Sequence, residues 1–244
     1  MRTHRIWIIL CTVAFYLASC EISYSSHTSR PPSLVPNMPG STSLSTPLST
    51  SLVPEKPPMP LFNSFENEVL QGVGIHSQNQ DWRIIEDGND NHVFQIDNKG
   101  KSDWPVITLG SAFTNGVIDF RVKLIEYDLS QDNGSGIVNL GFRNTPDGGY
   151  VFALHPAHRS AVLKYTDPAG HWSGEITGGT ATMLFEPDTW YSIRIVAYED
   201  SIEVLINGRL MVSASDDHFQ MGDLSLGVGP NTIAWFDDIS VLYY

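Results

Sequence analysis

The chain has 244 residues, a formal net charge of −13 at pH 7 and only two cysteines, Cys11 and Cys20. Only Glu21 and Glu55 of its 27 acidic residues precede Leu61, so the part from Leu61 onward is more acidic than the whole. This charge argues against nucleic acid as a partner, because phosphate binding needs a basic surface. An anionic membrane surface would repel the same region. Neutral or cationic ligands and calcium stay open.

The first 19 residues have the pattern of a secretory signal peptide. Two arginines precede an apolar run over residues 6–18, and a basic start followed by a short apolar stretch is typical of such leaders. The run is shorter than the roughly 20 residues that span a bilayer. The sequence Leu17-Ala18-Ser19-Cys20 resembles the cleavage box of bacterial lipoproteins. That resemblance implies a lipid on Cys20 as the only contact with the membrane, and a place in the bacterial cell envelope facing outside the cytoplasm. An ordinary secreted protein is the alternative.

Residues 20–60 are predicted to form a disordered linker. They are rich in Ser, Thr and Pro, as in Ser41–Ser43 and Glu55–Pro58, and show no hydrophobic periodicity. Such a segment buries too little apolar surface to offset its chain entropy. At about 3.1 Å per residue, an extended Pro-rich segment could hold the following domain roughly 100 Å from the lipid. A recognition motif or a glycosylated stalk is the alternative.

Residues 61–244 are long enough for one domain with a full core, which we expect to be monomeric. Helical signals are almost absent, whereas strand signals recur about every ten residues. Alternating apolar and polar residues, the pattern of half-buried strands, are clearest in the three longer candidates. The candidate strands are Trp82–Glu86, His92–Ile96, Gly116–Tyr127, Gly136–Arg143 and Trp190–Tyr198.

Turn sequences separate the candidate strands. Asn207-Gly208 lies between Ile202–Ile206 and Leu210–Val212, and Asn-Gly readily adopts the positive φ angles of a type I′ hairpin turn. Pro146–Gly149 connects another strand to Tyr150–Leu154. Many short antiparallel strands joined in this way predict an all-β fold, an antiparallel β-sandwich of the jelly-roll type.

Four segments in order carry a family resemblance: Thr189–Ile195, Ile202–Gly208, Gly222–Gly227 and Trp235–Val241. Their order resembles the concanavalin A-like lectin/glucanase superfamily. It is most similar to the laminin-G-like and bacterial keto-disaccharide-hydrolase-like branches, over roughly residues 61–244. The resemblance implies a jelly roll of two sheets. It leaves function open, because lectins, hydrolases and adhesion modules share this fold.

The resemblance also implies that sugars lie across one concave sheet, which needs outward aromatic, amide, Arg or carboxylate side chains. Alternation places Phe142 inside and Asn139 and Arg143 outside. The predicted glycan-binding residues are Asn139, Arg143, Tyr150, His155, Trp172 and Glu175. The alternative is that Arg143 is an ordinary exposed charge and that Trp172 covers the core. Trp190 and Trp235, in periodic strands, are expected in the core.

A structural calcium ion is the second candidate. Related sandwiches often hold one between the first and last strands. Asp237 alternates with Ile239 and Val241, so we expect it to point inward, where a carboxylate needs a partner or a metal. Glu66 is the expected first-strand partner, and oxygen ligands suit Ca²⁺. Alternatively, Asp237 accepts backbone N–H bonds.

Catalysis would need two facing carboxylates about 5–10 Å apart. Glu126-Tyr127-Asp128 begins the Glu-x-Asp-x-x-Glu pattern of the superfamily's glucanases, but Gln131 stands in place of the second acid. No P-loop, dinucleotide motif or nucleophile elbow occurs in the sequence. The sequence therefore favours a non-catalytic domain that binds a neutral glycan. A keto-disaccharide-type glycoside hydrolase and a protein-interaction module are the alternatives.

Overall fold

The computed structural model describes residues 61–66, 82–88, 90–130 and 134–244. The predicted signal peptide, the linker and Cys20 lie outside these residues. All regular elements of the described part are β-strands, and it contains no helix that could cross a membrane. In chain order the strands are β1 (Leu61–Asn63), β2 (Trp82–Glu86), β3 (His92–Asp97), β4 (Val106–Phe113), β5 (Gly116–Glu126), β6 (Val138–Thr145), β7 (Gly148–His155), β8 (Ser160–Thr166), β9 (Trp172–Thr182), β10 (Trp190–Tyr198), β11 (Ser201–Ile206), β12 (Arg209–Ser215), β13 (Gly222–Val228) and β14 (Ile233–Tyr243).

The strands form two antiparallel sheets. Sheet A has the order β12-β11-β10-β5-β14-β3-β2, with β1 also paired to β14. Sheet B has the order β4-β13-β6-β7-β8-β9. Hairpins connect the consecutive strands from β6 through β9 and from β10 through β12. By contrast, β5, β13 and β14 pair with strands distant in sequence. The predicted antiparallel β-sandwich of the jelly-roll type is confirmed.

The core lies between the sheets and is built by alternate side chains. In β5 the buried residues are Ile118, Phe120, Val122 and Leu124, separated by partly exposed ones. The same alternation runs along β10. Burying an aliphatic or aromatic side chain of this size stabilises the fold by about 1.5–3 kcal/mol.

The Asn207-Gly208 turn has the predicted geometry. Both residues have positive φ angles, 49° and 75°, as a type I′ turn requires. The side-chain oxygen of Asn207 accepts the backbone N–H of Ser192 at 2.9 Å, which joins the turn to β10.

A β-bulge in β14 reverses the expected direction of Asp237. The cross-strand register with β5 steps from Asp237 opposite Arg121 to Ser240 opposite Asp119, and Asp238 has a φ of 49°. Directly opposed residues share a face, so Asp237 lies beside Arg121 on the outer face of sheet A. The prediction that Asp237 points inward with Ile239 and Val241 is wrong, because the extra residue shifts the alternation.

The same outer face carries two tryptophans that were expected in the core. Trp190 and Trp235 lie opposite Lys123 from either side, and its ammonium is 5.3 Å and 4.3 Å from their ring centroids. Arg121 lies 4.9 Å above Trp190 and forms ion pairs with Asp237 and Asp238. The core prediction for both tryptophans is wrong. We call Arg121, Lys123, Trp190, Trp235 and Asp237 the outer ionic cluster.

Candidate functional site

A cleft of about 800 Å³ crosses the outer face of sheet B, opposite the outer ionic cluster. All six strands of the sheet contribute side chains, and the β3–β4 and β8–β9 loops form its walls. The residues that line it include Trp104, Val106, Thr108, Asn139, Asn144, Thr145, Val151, His155, Thr166, Asp167, His171, Trp172, Asp223 and Ser225. Asn139, His155 and Trp172, three of the predicted binding residues, therefore meet in one cleft.

Asn144 forms the polar floor at one end of the cleft. Its amide nitrogen donates to the hydroxyl of Ser225 on the neighbouring strand at 3.0 Å. A Cβ atom on Gly141 or Gly149 would clash with the Asn144 side chain. These two glycines therefore let the amide lie flat on the sheet, where it presents a planar polar group to the cleft.

Two tryptophans form the other end of the cleft. Trp104 and Trp172 meet edge to face, with centroids 6.4 Å apart and an interplanar angle of 62°. Trp172 packs on Ile137, Ala153 and Val162, a small apolar cluster separate from the main core. Trp104 keeps 41% of its surface exposed. The arrangement leaves aromatic surface open to a ligand.

His155 lies beside Trp172, with ring centroids 6.3 Å apart, and stacks on His158 at 4.0 Å. The backbone N–H of His158 donates to Nδ1 of His155 at 3.3 Å. Since Nδ1 accepts a hydrogen bond, we assign the proton of the neutral imidazole to Nε2. In this tautomer Nε2 is a hydrogen-bond donor.

Asp167 shapes the β8–β9 loop that forms one wall. Its Oδ1 atom accepts the backbone N–H of His171 at 2.8 Å and that of Ala169 at 2.9 Å. The bond from the His171 N–H, foremost among several, holds the pKa of Asp167 below its usual range. The carboxylate stays ionised and its oxygen is engaged in the loop.

Arg143 does not face the cleft. It is fully buried, its φ is 51°, and the β6–β7 register shifts just after Phe142. The guanidinium donates to backbone carbonyls of Thr114 at 2.8 Å, Glu199 at 3.0 Å and Phe219 at 3.1 Å, and to the side chain of Asn115 at 3.1 Å. The predicted outward direction is wrong, because this bulge turns Arg143 inward to hold three loops together.

Tyr150 and Glu175 are also outside the cleft lining. Tyr150 is fully buried, and its hydroxyl donates to Asp216 at 2.5 Å. Burial raises the pKa of Tyr150 far above its usual range. Its position in phase with Phe152 was the signal that it faces the core. Glu175 is exposed and pairs with Lys164 at 3.6 Å.

The predicted calcium ligands each have another partner. Glu66 lies 3.6 Å from His92. Asp237 pairs with Arg121 and accepts the N–H of Asp238 at 2.8 Å, while burial raises its pKa. Within the described residues, no group of three or more His, Cys, Asp or Glu is placed to hold a metal ion. Calcium binding stays a prediction.

The cleft residues that were not predicted from the sequence include Trp104, Asn144, Asp223 and Ser225. Trp104 stands between Asp103 and Pro105 in a segment without periodicity, and a tryptophan in such a loop is a weak signal for a binding surface. Asn144 follows the bulge at Arg143, where alternation no longer tells which face a residue is on. Glu126, from the partial glucanase pattern, pairs with Lys99 at 2.6 Å and does not line the cleft.

The described residues form a jelly-roll domain with an open cleft on the outer face of one sheet. Residues 59–242 match the model of the 3-keto-alpha-glucoside-1,2-lyase-like domain, and the chain belongs to that family. No curated protein matched the chain in a sequence comparison.

Three solved structures share the fold at low identity. Carbohydrate-binding module CBM66 from Bacillus subtilis is 17% identical with a TM-score of 0.50, and the match covers 68% of this chain and 98% of the module. The Crh5 transglycosylase is 11% identical with a TM-score of 0.53, covering 75% of this chain and 84% of that one. A sialidase is 12% identical with a TM-score of 0.54, but the match covers 75% of this chain and only 18% of the sialidase.

Proposed function

We propose that the cleft on sheet B binds an uncharged glycan without transforming it. The observation that carries this proposal is the lining itself, in which exposed tryptophan surface stands beside amide and hydroxyl groups. Sugar rings offer C–H patches that stack on aromatic faces and hydroxyls that bond planar polar groups. Trp172 would supply the first contact and Asn139 and Asn144 the second.

Charge supports an uncharged ligand. The cleft lining includes Asp167 and Asp223, and no lysine or arginine occurs among the described residues that line it. The Lys164 ammonium, 5.8 Å from the centroid of the Trp172 ring, is paired with Glu175, so a glycan carrying carboxylate or sulfate groups would be repelled by the two acids. Neutral sugars avoid that repulsion.

The state of the carboxylates supports binding over hydrolysis. A glycosidase needs one carboxyl group whose pKa is raised so that it can protonate the leaving group. The pKa of Asp167 is instead lowered, and its Oδ1 atom holds the loop. Asp223 is the other carboxylate of the described cleft lining. A single carboxylate cannot serve as both the general acid and the general base or nucleophile.

Elimination on a 3-keto glycoside is the second candidate, and family membership favours it. A ketone at C3 acidifies the C2 proton. A base would take that proton while the C1–O bond breaks, and the departing alkoxide would gain a proton, leaving a double bond between C1 and C2. Asp223 or His171 would serve as the base.

A glycan array followed by calorimetric titration tests the first proposal against the second. We expect binding of a neutral oligosaccharide that Asn144→Ala weakens and that Tyr198→Ala, on the opposite sheet, leaves unchanged. Incubation with a 3-keto α-glucoside, followed by NMR, should give no product. Formation of a 1,2-ene sugar that Asp223→Asn abolishes would establish the lyase instead.

We also propose that a lipid on Cys20 anchors the protein in a membrane of the bacterial cell envelope, with the domain facing outside the cytoplasm. The support is the leader sequence ending in Leu-Ala-Ser-Cys. Cys20→Ala should release the protein from the membrane fraction while secretion continues. Retention of the variant in that fraction would contradict the anchor.

A further inference from the structure

The two ends of the cleft differ in chemistry. Asn139 and Asn144 of β6 lie opposite Gly227 and Asp223 of β13, four positions apart, which corresponds to about 13 Å along a strand. In the backbone register of the sheet, Asn144 lies opposite Asp223 at one end. Asn139 lies opposite Ala153 and Gly227 toward the other end. We call the first the amide end and the second, beside Trp104 and Trp172, the tryptophan end.

The tryptophan end has an apolar floor. Ile137, Ala153 and Val162 are buried under Trp172 on the outer face of the sheet, away from the main core. Trp104 meets Trp172 at 62° and stays partly exposed. One indole face suffices to stack on a sugar. Two indoles meeting at an angle over aliphatic side chains make a corner that suits a flat apolar group better than a hydroxyl-rich ring.

The amide end has the opposite character. Asn144 and Ser225 are joined by a hydrogen bond, and Asp223 lies on the strand beside them. The hydroxyl of Thr145 donates to the carbonyl of Gly148 at 2.9 Å and accepts the N–H of Asp147 at 3.2 Å, so it is engaged in the β6–β7 turn and the ligand contacts fall to Asn144, Ser225 and Asp223. These groups offer acceptors and amide donors to sugar hydroxyls.

From this polarity we infer that the cleft takes a glycoside with a planar apolar aglycone, bound in one orientation. The sugar extends from Asn144 toward Trp172, and an aryl group packs on the exposed face of Trp104, in the angle that the two indoles form. The inference rests on the proposed glycan binding and adds the ligand class and its direction. It makes Trp104 the residue that selects for the aglycone and Asn144 a residue that recognises the sugar.

Calorimetric titration of the full chain with paired probes tests the inference. The probes are methyl and phenyl glycosides of α- and β-D-glucose and of β-D-galactose. The phenyl glycoside of the accepted sugar should bind about tenfold more tightly than its methyl partner, since an added ring stacks on indole. Trp104→Ala should remove most of this preference while changing the methyl glycoside affinity less than about twofold.

Three controls separate the outcomes. Trp104→Phe should keep part of the preference, Asn144→Ala should weaken both glycosides alike, and Tyr198→Ala should change neither. Equal affinity for methyl and phenyl glycosides, or a preference untouched by Trp104→Ala, overturns the inference and leaves glycan binding in place. Binding of array oligosaccharides with no phenyl preference overturns it as well. Absence of binding to every sugar probe overturns the proposed function with it.

Discussion

The outer faces of the two sheets both carry tryptophans beside polar or charged side chains, but the two arrangements differ. On sheet A, Lys123 lies between Trp190 and Trp235, and Arg121 pairs with the buried Asp237. On sheet B, Trp104 and Trp172 border an open cleft in which amides and hydroxyls face outward. Tryptophans beside charged groups therefore do not by themselves indicate a binding site. What distinguishes the faces is that charged side chains cover the tryptophans on sheet A, whereas Trp104 and Trp172 border an open cleft on sheet B.

This contrast predicts that the buried ionic residues matter for stability and the cleft residues for binding. Arg143 gives the largest expected effect. Arg143→Met removes donors from three backbone carbonyls, and each buried acceptor left unpaired costs about 1–3 kcal/mol. We expect a loss of about 4 kcal/mol or more in the free energy of unfolding, measured by urea denaturation.

The control for Arg143 is Asn139→Ala in the cleft, which should lower the free energy of unfolding by less than about 1 kcal/mol. If Arg143→Met folded with full stability and lost glycan binding, the conclusion that Arg143 stabilises the fold rather than binds the ligand would be wrong.

Arg121 tests the outer ionic cluster. Arg121→Ala leaves the buried carboxylate of Asp237 without its cation, and breaking such a pair costs about 3 kcal/mol. Arg194 is the matched control, because it pairs with Asp119 at 2.7 Å and 2.9 Å but is exposed. Arg194→Ala should cost no more than about 1 kcal/mol. Equal losses in the free energy of unfolding, measured by urea denaturation, would mean that burial does not determine how much these ion pairs stabilise the fold.

Trp172 tests the cleft. Trp172→Ala should weaken glycan binding by about 2 kcal/mol, or roughly 30-fold in Kd, as expected for an aromatic contact at the centre of a site. Calorimetry on the array ligand measures the change. Tyr198→Ala removes an exposed aromatic ring from sheet A and should leave Kd within twofold. An unchanged Kd in Trp172→Ala would place the ligand elsewhere.

Asp216 gives the smallest effect and one that depends on pH. Burial raises its pKa, but bonds from the hydroxyls of Tyr150 and Tyr165 and from the N–H of His218 outweigh burial, so the pKa is lowered overall. A carboxyl group with a lowered folded pKa stabilises the protein above its unfolded pKa of about 3.9 and loses this as pH falls through the folded value.

Asp216→Asn should therefore reduce the free energy of unfolding by about 1 kcal/mol at pH 7. The difference from the native protein should be largest at neutral pH and shrink as pH falls below about 4 and through the lowered folded pKa. Urea denaturation across this range measures it, and a difference that grows toward acid pH would contradict the sign.

Much of the fold could be predicted from the sequence, because alternation reports directly on burial. The strands Trp82–Glu86 and Trp190–Tyr198 have the bounds that the pattern indicates, and Asn207-Gly208 forms its hairpin turn. The errors on Arg143 and Asp237 have one cause. A bulge with a positive-φ residue inserts one position, and every inference from alternation across it changes face.

The prediction that Trp190 and Trp235 lie in the core is wrong for a different reason. Trp190 and Trp235 alternate in phase with polar neighbours, and this phase, rather than the usual preference of tryptophan for burial, decides which face they are on. Lys123 buries both indoles from outside the core, a pairing across three strands that periodicity within one strand does not contain. The cleft likewise depends on strands brought together by topology, so Asn139 and Trp172 could be proposed one by one but not as neighbours of Trp104 and Asn144.

The most direct test of the central claim is an NMR titration of the ¹⁵N-labelled protein with the glycan that the array identifies, followed at the indole N–H signals. If sheet B carries the site, the signals of Trp104 and Trp172 move on binding while those of Trp190 and Trp235 stay in place. Movement of the sheet A signals with Trp104 and Trp172 unchanged would contradict the account.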